Sequence, residues 1–264
     1  MKKNSSYIII IFIIALSLFY LNSKGSNYIG INYSVKEEKI SNFKKLTHFY
    51  QRHLNYKNLV KQINRNSKNE KEKIINTSLW VYKNIKKDFK DRDVVDNHPW
   101  TIVERRIGKP DQFSDILSIL LIHDGIDSFF KYIRYIPKEI NSRHPLTFFK
   151  HNNKWSIIDP YYGIYFINNN NSFYTLDQNK NTEWLLRHLI FGKVTPENFN
   201  KIFFDKNFKN VQELNIYYHN LLVKLPSSET INNTNIYERG GRSYVQKPMH
   251  RIIYQIRKIL KSLK

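Results

Sequence analysis

The chain has 264 residues, of which 41% are hydrophobic and 15% aromatic, so it can build a globular core and lacks the composition of a disordered chain. Its 43 Lys and Arg against 22 Asp and Glu give a net charge of +21, which favours anionic surfaces such as phospholipid headgroups, acidic glycans or nucleic acid. There is no cysteine, which excludes disulfides, thiolate metal sites and thiol nucleophiles. A biased coding composition is an alternative explanation of the charge, because the lysines are scattered among asparagine and isoleucine.

An apolar segment lies near the N-terminus. Lys2 and Lys3 precede the run 7–21, in which Ser17 is the one interruption. This pattern is typical of an export signal or a membrane anchor, and the leading lysines favour a cytoplasmic N-terminus. We therefore expect residues 1–25 to be a signal peptide or N-terminal membrane anchor. The rest of the chain would face the cell exterior or the periplasm, or would be secreted if the segment is cleaved.

Helical patterns follow the apolar segment. Residues 26–95 form a predicted helical lead-in, because apolar residues recur at helical intervals between Ser41 and Lys90. Residues 96–225 form the predicted core. Its clearest helix is Asp111–His123, which has one apolar stripe and ends at the stop signal Asp124-Gly125.

Short β-branched and aromatic runs come after this helix. They are broken by Pro, Gly and Asn-Asn turns, as antiparallel strands would be, and they are Ile126–Ile136, Leu146–Lys150, Trp155–Ile158 and Ile164–Ile167. Glu183–Phe191 is predicted as another short helix. The order of helices first and sheet second predicts an α+β fold, with a helical N-terminal part packed on a small antiparallel sheet.

Residues 226–264 are predicted to be a linker and a basic amphipathic C-terminal helix. The stretch 226–246 is polar and turn-rich and contains Gly240-Gly241, whereas Pro248–Lys264 has helical periodicity. Apolar residues form one face of this predicted C-terminal helix, and Arg and Lys crowd the rest of its surface. The helix could pack on its own domain with a solvated basic face, or lie on an anionic membrane.

Three short segments stand in a fixed order around the predicted helix and sheet. Gly108–Ser114 opens the helix that ends at Gly125-Ile126, Arg143–Phe149 follows, and Asn153–Gly163 comes third. Over about residues 96–166, this order and spacing resembles that of transglutaminase-like domains, which have the papain-type cysteine-enzyme fold. In that family a glycine-x-cysteine motif begins a helix, a histidine starts a strand, and a Trp…Asp-Pro segment ends the next strand.

The resemblance assigns site residues position by position. His144 falls on the histidine position, Asp159 on the acid that orients it, and Pro110 on the position of the cysteine. In such a triad the helix N-terminus and the histidine acidify the thiol. Proline lacks the thiol and also the backbone N–H, which in papain-like enzymes helps to hold the oxyanion. The resemblance therefore implies a pseudoenzyme whose cleft binds a ligand without thiol catalysis.

The resemblance also suggests a setting and a ligand. Domains with a Cys-Asp-Gln form of the motif resemble bacterial envelope and surface-glycan proteins, and Asp111-Gln112 keep that form apart from the cysteine. The expected ligand is an acidic surface glycan, a wall peptide or a partner protein, and the candidate binding residues are Asp111, Gln112, Trp100 and Trp155. The expected membrane contacts are residues 7–21 and the 248–264 helix. The sequence contains no metal-ligand spacing or nucleotide-binding loop, so no metal and no cofactor is expected.

Three alternatives remain at this level. His144 and Asp159 could persist only as a hydrogen-bonded pair between strands. Ser114, one helical turn beyond Pro110, or another group near His144, could replace the cysteine in a hydrolase or acyltransferase. The charge of +21 could indicate a nucleic-acid binder, against which the apolar segment 7–21 argues.

Overall fold

The computed structural model describes residues 2–29, 36–87, 98–134, 143–177, 183–203 and 208–262, which form helices packed on a small antiparallel sheet. The helices are α1 (Lys2–Asn22), α2 (Asn42–Ile63), α3 (Glu70–Asn84), α4 (Pro99–Arg105), α5 (Pro110–His123), α6 (Pro196–Ile202), α7 (Val211–Val223), α8 (Ser228–Asn233), α9 (Ile236–Tyr244) and α10 (Pro248–Ser262). The strands are β1 (Lys24–Ile29), β2 (Lys36–Ser41), β3 (Lys86–Lys87), β4 (Ile107–Gly108), β5 (Ser128–Arg134), β6 (Arg143–His151), β7 (Lys154–Asp159), β8 (Ile164–Ile167), β9 (Leu185–His188) and β10 (Gly192–Lys193). The predicted α+β class is confirmed.

The main sheet is a six-stranded meander. Its strand order is β10-β9-β8-β7-β6-β5, and every neighbouring pair is antiparallel and consecutive in the chain. β1 and β2 form a separate antiparallel pair, and β3 pairs in parallel with β4. The four strands expected between residues 126 and 167 are all present. The three longest strands of this sheet, β5, β6 and β7, lie side by side, and β5 is the edge strand.

Helix α5 is the central helix of the molecule. Every side chain from Gln112 to His123 is buried, because α5 packs on β5 and β6 on one side and on α2, α3, α4 and α9 on the others. The predicted helix 111–123 is confirmed to within one residue. The helix stops where the stop signal predicts, since Gly125 adopts a φ of +93° that favours glycine.

The lead-in helices α2 and α3 belong to the same core. Side-chain caps begin both of them: Ser41 accepts the N–H of Lys44 and Asn69 accepts the N–H of Glu72. Their buried residues, which include Tyr56, join one continuous apolar cluster with α5 and the sheet. The prediction of a helical lead-in over residues 26–95 is confirmed by α2 and α3 and is wrong where β1, β2 and β3 stand. Its residues 30–35 and 88–95 lie outside the described ranges.

Two further predictions are corrected. Residues 185–188 are strand β9 rather than part of a helix; Leu186 and His188 are buried and alternate with less buried residues, as a strand at the side of a sheet requires. The expected linker 226–246 is largely helical, as α8 and α9. Tyr244 is completely buried against the core, so burial outweighs the poor helix propensity of Gly240-Gly241.

The apolar N-terminal segment forms helix α1, and its side chains from Ile10 to Tyr20 are mostly exposed. Asn42 ties the end of this helix to α2 by donating to the carbonyl of Tyr20 over 3.2 Å. In the described parts of the chain, none of the helices has the length and apolar character that crossing a membrane requires. The signal or anchor role of residues 1–25 stays a prediction.

Candidate functional site

The sheet brings His144 and Asp159 together, as the hairpin spacing predicts. Ile158 pairs with Thr147, so Asp159 lies opposite Leu146, two residues from His144 and on the same face of the sheet. His144 Nε2 and Asp159 Oδ2 are 2.6 Å apart. Both side chains are buried, and Asp159 has no exposed surface. The pair is therefore a short, water-excluded hydrogen bond between neighbouring strands.

The carboxylate of Asp159 accepts from four donors. Oδ2 accepts the bonds from His144 and from the Tyr218 hydroxyl, which is also 2.6 Å away. Oδ1 accepts the backbone N–H groups of Tyr161 and Tyr162, at 3.0 and 3.1 Å. The Asp-Pro-Tyr-Tyr turn thus folds back on its own aspartate, and α7 completes the site through Tyr218. This arrangement holds the carboxylate in one orientation.

These contacts keep Asp159 ionised in spite of its burial. Burial by itself raises the pKa of Asp159, but the charge of His144 and the hydrogen bonds from His144, Tyr218 and the Tyr162 backbone outweigh it, and the pKa lies below its ordinary value. Burial and the adjacent carboxylate raise the pKa of Tyr218 well above its ordinary value, so its hydroxyl remains a donor. Asp159 is therefore ionised and accepts the hydrogen bond that the neutral Tyr218 hydroxyl donates.

The protonation of His144 follows from its partner. An ionised carboxylate can only accept hydrogen bonds, so Nε2 of His144 carries the proton that faces Asp159. Nδ1 is then the ring nitrogen that a nucleophile or ligand would meet. The imidazole lies parallel to the Tyr162 ring, 6.3 Å between centroids, and edge-on to Tyr217 at 5.6 Å and Tyr218 at 6.2 Å. Aromatic rings therefore fix the plane of the imidazole.

The first turn of α5 carries the position that the resemblance assigns to the nucleophile. Pro110 is the first residue of the helix and is partly exposed, and a proline fits there because the first helical N–H has no partner in the helix. Gln112 Oε1 accepts the Lys109 N–H at 2.9 Å and an Arg105 N–H at 3.2 Å. Gln112 is thus a buried cap of α5 rather than the ligand contact that we expected. Burial, and to a smaller extent the charge of Asp111, raises the pKa of Tyr132.

Aromatic side chains connect this turn to the His144 side of the sheet. Phe113 packs edge-on against Tyr161, 5.2 Å between centroids, and Tyr161 packs against Tyr162 at 5.1 Å. The Lys87 ammonium lies 4.6 Å from the Tyr161 centroid and 4.9 Å from the Tyr162 centroid. Lys87 pairs with Gly108, two residues before Pro110. These contacts link the first turns of α5, through Tyr161, to Tyr162, whose ring lies parallel to the imidazole of His144.

Ser114 does not take the place of a nucleophile. Its hydroxyl is completely buried and donates to the Pro145 carbonyl over 3.2 Å, and its own carbonyl accepts the Thr147 hydroxyl at 3.1 Å. Because residues alternate along a strand, Thr147 and His144 point to opposite faces of the sheet. Ser114 anchors α5 on β6 and makes no contact with the imidazole.

The two candidate tryptophans have packing roles. Trp155 has no exposed surface, and its indole N–H donates to Asn232 Oδ1 at 2.9 Å, so it is a core residue and not a ligand contact. Trp100 is partly buried, packs edge-on against Tyr56 at 5.1 Å and donates to Glu104. Trp155 therefore has no open aromatic face for a ligand, and the binding role of Trp100 stays a prediction.

Sequence reasoning missed Tyr218, Tyr217 and Lys87. Tyr218 lies 59 residues beyond Asp159, in a helix whose apolar periodicity explains its burial without indicating its partner. Nothing in the sequence marks Lys87. Tyr161 and Tyr162 stand inside the third motif, directly after the aspartate. Across the described ranges, no group of three or more His, Asp or Glu side chains is placed to hold a metal ion.

Comparisons with known proteins give similarity in structure only. No protein-family model matches the chain, and no curated protein matches it. Among solved structures, it is similar to a candidate cysteine protease from Cytophaga hutchinsonii, with 15% identity, a TM-score of 0.36 and coverage of 41% of this chain and 37% of that one. It is also similar to a TGase, with 13% identity, a TM-score of 0.34 and coverage of 55% of this chain and 46% of that one.

A third similar structure is that of a candidate protease from Parabacteroides distasonis, with 14% identity, a TM-score of 0.32 and coverage of 67% of this chain and 42% of that one. The chain thus spans less than half the length of each of these three structures.

Proposed function

We propose that this chain is a transglutaminase-like pseudoenzyme of the cell envelope, whose site beside His144 binds a ligand without thiol catalysis. The observation that carries the proposal is the buried hydrogen-bonded set of His144, Asp159 and Tyr218 in a chain without cysteine. An acid that fixes the tautomer and plane of a histidine is the supporting half of a nucleophile-base-acid triad. The nucleophilic half is absent.

The substitution at Pro110 removes two contributions to catalysis at once. Loss of the nucleophile from a triad lowers turnover by about a million-fold, and the turnover that remains depends on binding and on oxyanion donors. Proline also has no N–H to donate to an oxyanion. Ser114, buried and bonded to the Pro145 carbonyl, offers no replacement. These facts support binding over hydrolysis or acyl transfer.

The exposed apolar helix α1 and the net charge support a location and a class of ligand. The exposed apolar side chains of α1, which follow Lys2 and Lys3 at its start, support anchoring or export. The charge of +21 supports an acidic surface glycan, an acidic wall peptide or an acidic partner protein as the ligand. The exposure of α1 also gives no support to a nucleic-acid binder, which would need residues 7–21 to be folded into the domain.

Turnover assays test the absence of catalysis. The full-length protein is incubated with amide substrates, and separately with casein and a fluorescent primary amine to detect acyl transfer. We expect no turnover by the wild type or by His144→Ala. Turnover by the wild type that disappears in His144→Ala would overturn the proposal.

Co-sedimentation tests the binding role. The protein is mixed with insoluble cell wall, and separately with an immobilised acidic polysaccharide. We expect one of these to retain the wild type and to release His144→Gln, whereas His219→Ala, which alters an exposed histidine on α7, is retained like the wild type. Equal retention of all three proteins, or of none, would contradict a binding site at His144. Circular dichroism establishes that the variants are folded.

A further inference from the structure

Helix α10 contacts the rest of the protein through its basic and aromatic side. The Arg251 guanidinium lies 5.5 Å from the centroid of Phe49 on α2. Tyr254 packs against Tyr237 of α9, 5.6 Å between centroids, and the Arg257 guanidinium lies 5.0 Å from the same ring. At 100° per residue, these three α10 side chains project from a sector of about 120°. That sector faces the body of the protein.

The apolar stripe of α10 points away from this sector. Met249, Ile252, Ile253, Ile256 and Leu260 are 65%, 54%, 38%, 51% and 57% exposed, respectively. We call these five side chains the α10 face. An amphipathic helix that belongs to a soluble domain normally buries its apolar stripe against that domain and exposes its basic side. In α10 the orientation is reversed, so the intramolecular packing leaves the α10 face without a partner in the described part of the chain.

The neighbouring helices add exposed apolar surface. α2, which Arg251 contacts through Phe49, exposes Phe43, Leu46 and Tyr50, each by more than half. The C-terminal end of α1 is hydrogen-bonded to the start of α2 and carries Phe19, which is 77% exposed. Large exposed apolar areas on a protein mark surfaces that bind a membrane or another protein.

We propose that α10 lies in the interface of an anionic phospholipid bilayer, with the α10 face in the acyl region. The helix contains Arg251, Arg257, Lys258 and Lys261 and no acidic residue, so it carries a positive charge that attracts an anionic surface. The net charge of +21 argues against a second copy on this face, because two copies of the chain would repel each other. An anionic lipid surface satisfies both the apolar stripe and the charge.

This inference shares the membrane location with the proposed function but does not depend on the site at His144. A spin label at α10 reports on this helix alone, even when α1 already holds the protein on the vesicle. Since the chain contains no cysteine, a single substitution gives a unique labelling site.

The test places a nitroxide at Leu260→Cys and, as a matched control, at Ile216→Cys on α7; these residues are 57% and 55% exposed. Full-length protein is reconstituted in vesicles of phosphatidylcholine with phosphatidylglycerol, and of phosphatidylcholine alone. We expect the Leu260 label to become several-fold more accessible to oxygen than to a water-soluble nickel chelate in the anionic vesicles. The Ile216 label should remain accessible to the chelate in both.

Three variants in the Leu260→Cys background sharpen the test. Ile256→Glu should abolish the oxygen preference, whereas Ile216→Glu should leave it unchanged. Replacement of Lys258 and Lys261 by Gln removes two of the four cations of the helix and should reduce the difference between the two lipids. A Leu260 label that stays accessible to the chelate in anionic vesicles would overturn the proposal. A label whose spectrum narrows on dilution with unlabelled protein would overturn it in favour of a second copy on the α10 face.

Discussion

Replacing Tyr218 by phenylalanine removes one hydroxyl from the buried network and leaves the ring in place. The hydroxyl is 2.6 Å from Asp159 Oδ2, and neither residue has exposed surface. A hydrogen bond to a charged group contributes about 1.5–3 kcal/mol to the free energy of unfolding. At about 2–4 °C per kcal/mol for a chain of this size, Tyr218→Phe should lower the melting temperature by about 3–12 °C.

The pH dependence of this loss has a definite sign. The folded-state pKa of Asp159 lies below its unfolded value, so the ionised carboxylate stabilises the protein above the unfolded pKa, and this stabilisation is lost as pH falls through the folded pKa. Removal of the Tyr218 hydroxyl moves the folded pKa upward. The melting-temperature difference between wild type and Tyr218→Phe should therefore be largest near neutral pH and should decrease in acid.

Tyr56→Phe is the matched control. Tyr56 is also completely buried, but among the described residues its hydroxyl has no hydrogen-bond partner. Removing a buried hydroxyl of this kind relieves a desolvation penalty, so Tyr56→Phe should be neutral or stabilising. Thermal unfolding followed by circular dichroism measures the melting temperature of both variants. Equal losses in the two variants, or no loss in Tyr218→Phe, would refute the claim that Tyr218 supports Asp159.

Further predictions concern the surroundings of the site. Burial, reinforced by the charge of Lys87, lowers the pKa of His188 to about 4, so the wild type should lose about 2–3 kcal/mol as pH falls from about 6.5 to 4; His188→Gln should flatten this part of the urea-midpoint profile. Gly163→Ala, at φ +68° with the added Cβ within 3.1 Å of neighbouring rings, should destabilise more than Gly192→Ala, at φ +66° in open space, which should cost about 1–2 kcal/mol in urea titrations. A comparable loss in both would contradict the packing described at Gly163. Ser114→Ala should cost about 0.5–1.5 kcal/mol in the same titrations and change no turnover, whereas loss of a measurable activity would restore its candidacy as nucleophile.

The sequence predicts the elements with strong local signals. Helix α5 has an apolar stripe, a proline at its start and a glycine at its end, and all three act within a few residues of the helix. Strand β9 is missed because a run of four residues beside Trp184 and Leu189 fits either periodicity, and its pairing with β8 decides the outcome. α9 is missed because Gly240-Gly241 indicates a turn, whereas burial of Tyr244 holds the helix.

The residues of the candidate site also differ in whether the sequence predicts them. His144 and Asp159 are predictable as neighbours, because fifteen residues separate them in a hairpin. Tyr218 is not, because its contact with Asp159 depends on how α7 packs over the sheet. Trp155 is mistaken for a ligand contact because an aromatic residue in a motif looks the same in sequence whether it lines a cleft or fills a core. Long-range packing is the information that the sequence pattern lacks.

A thiol introduced at Pro110 tests the central claim most directly. Pro110→Cys is compared with Pro248→Cys, because both prolines are partly exposed first residues of helices of similar length and the chain has no other thiol. The rate of alkylation by iodoacetamide against pH gives each thiol pKa. If Pro110 occupies the nucleophile position, its thiol should have a pKa below about 7 that rises in Pro110→Cys with His144→Ala, while the Pro248→Cys thiol should stay nearer to about 8.5 in both backgrounds. A Pro110→Cys thiol that titrates like the Pro248→Cys thiol and ignores His144 would contradict the assignment of Pro110 to the lost cysteine.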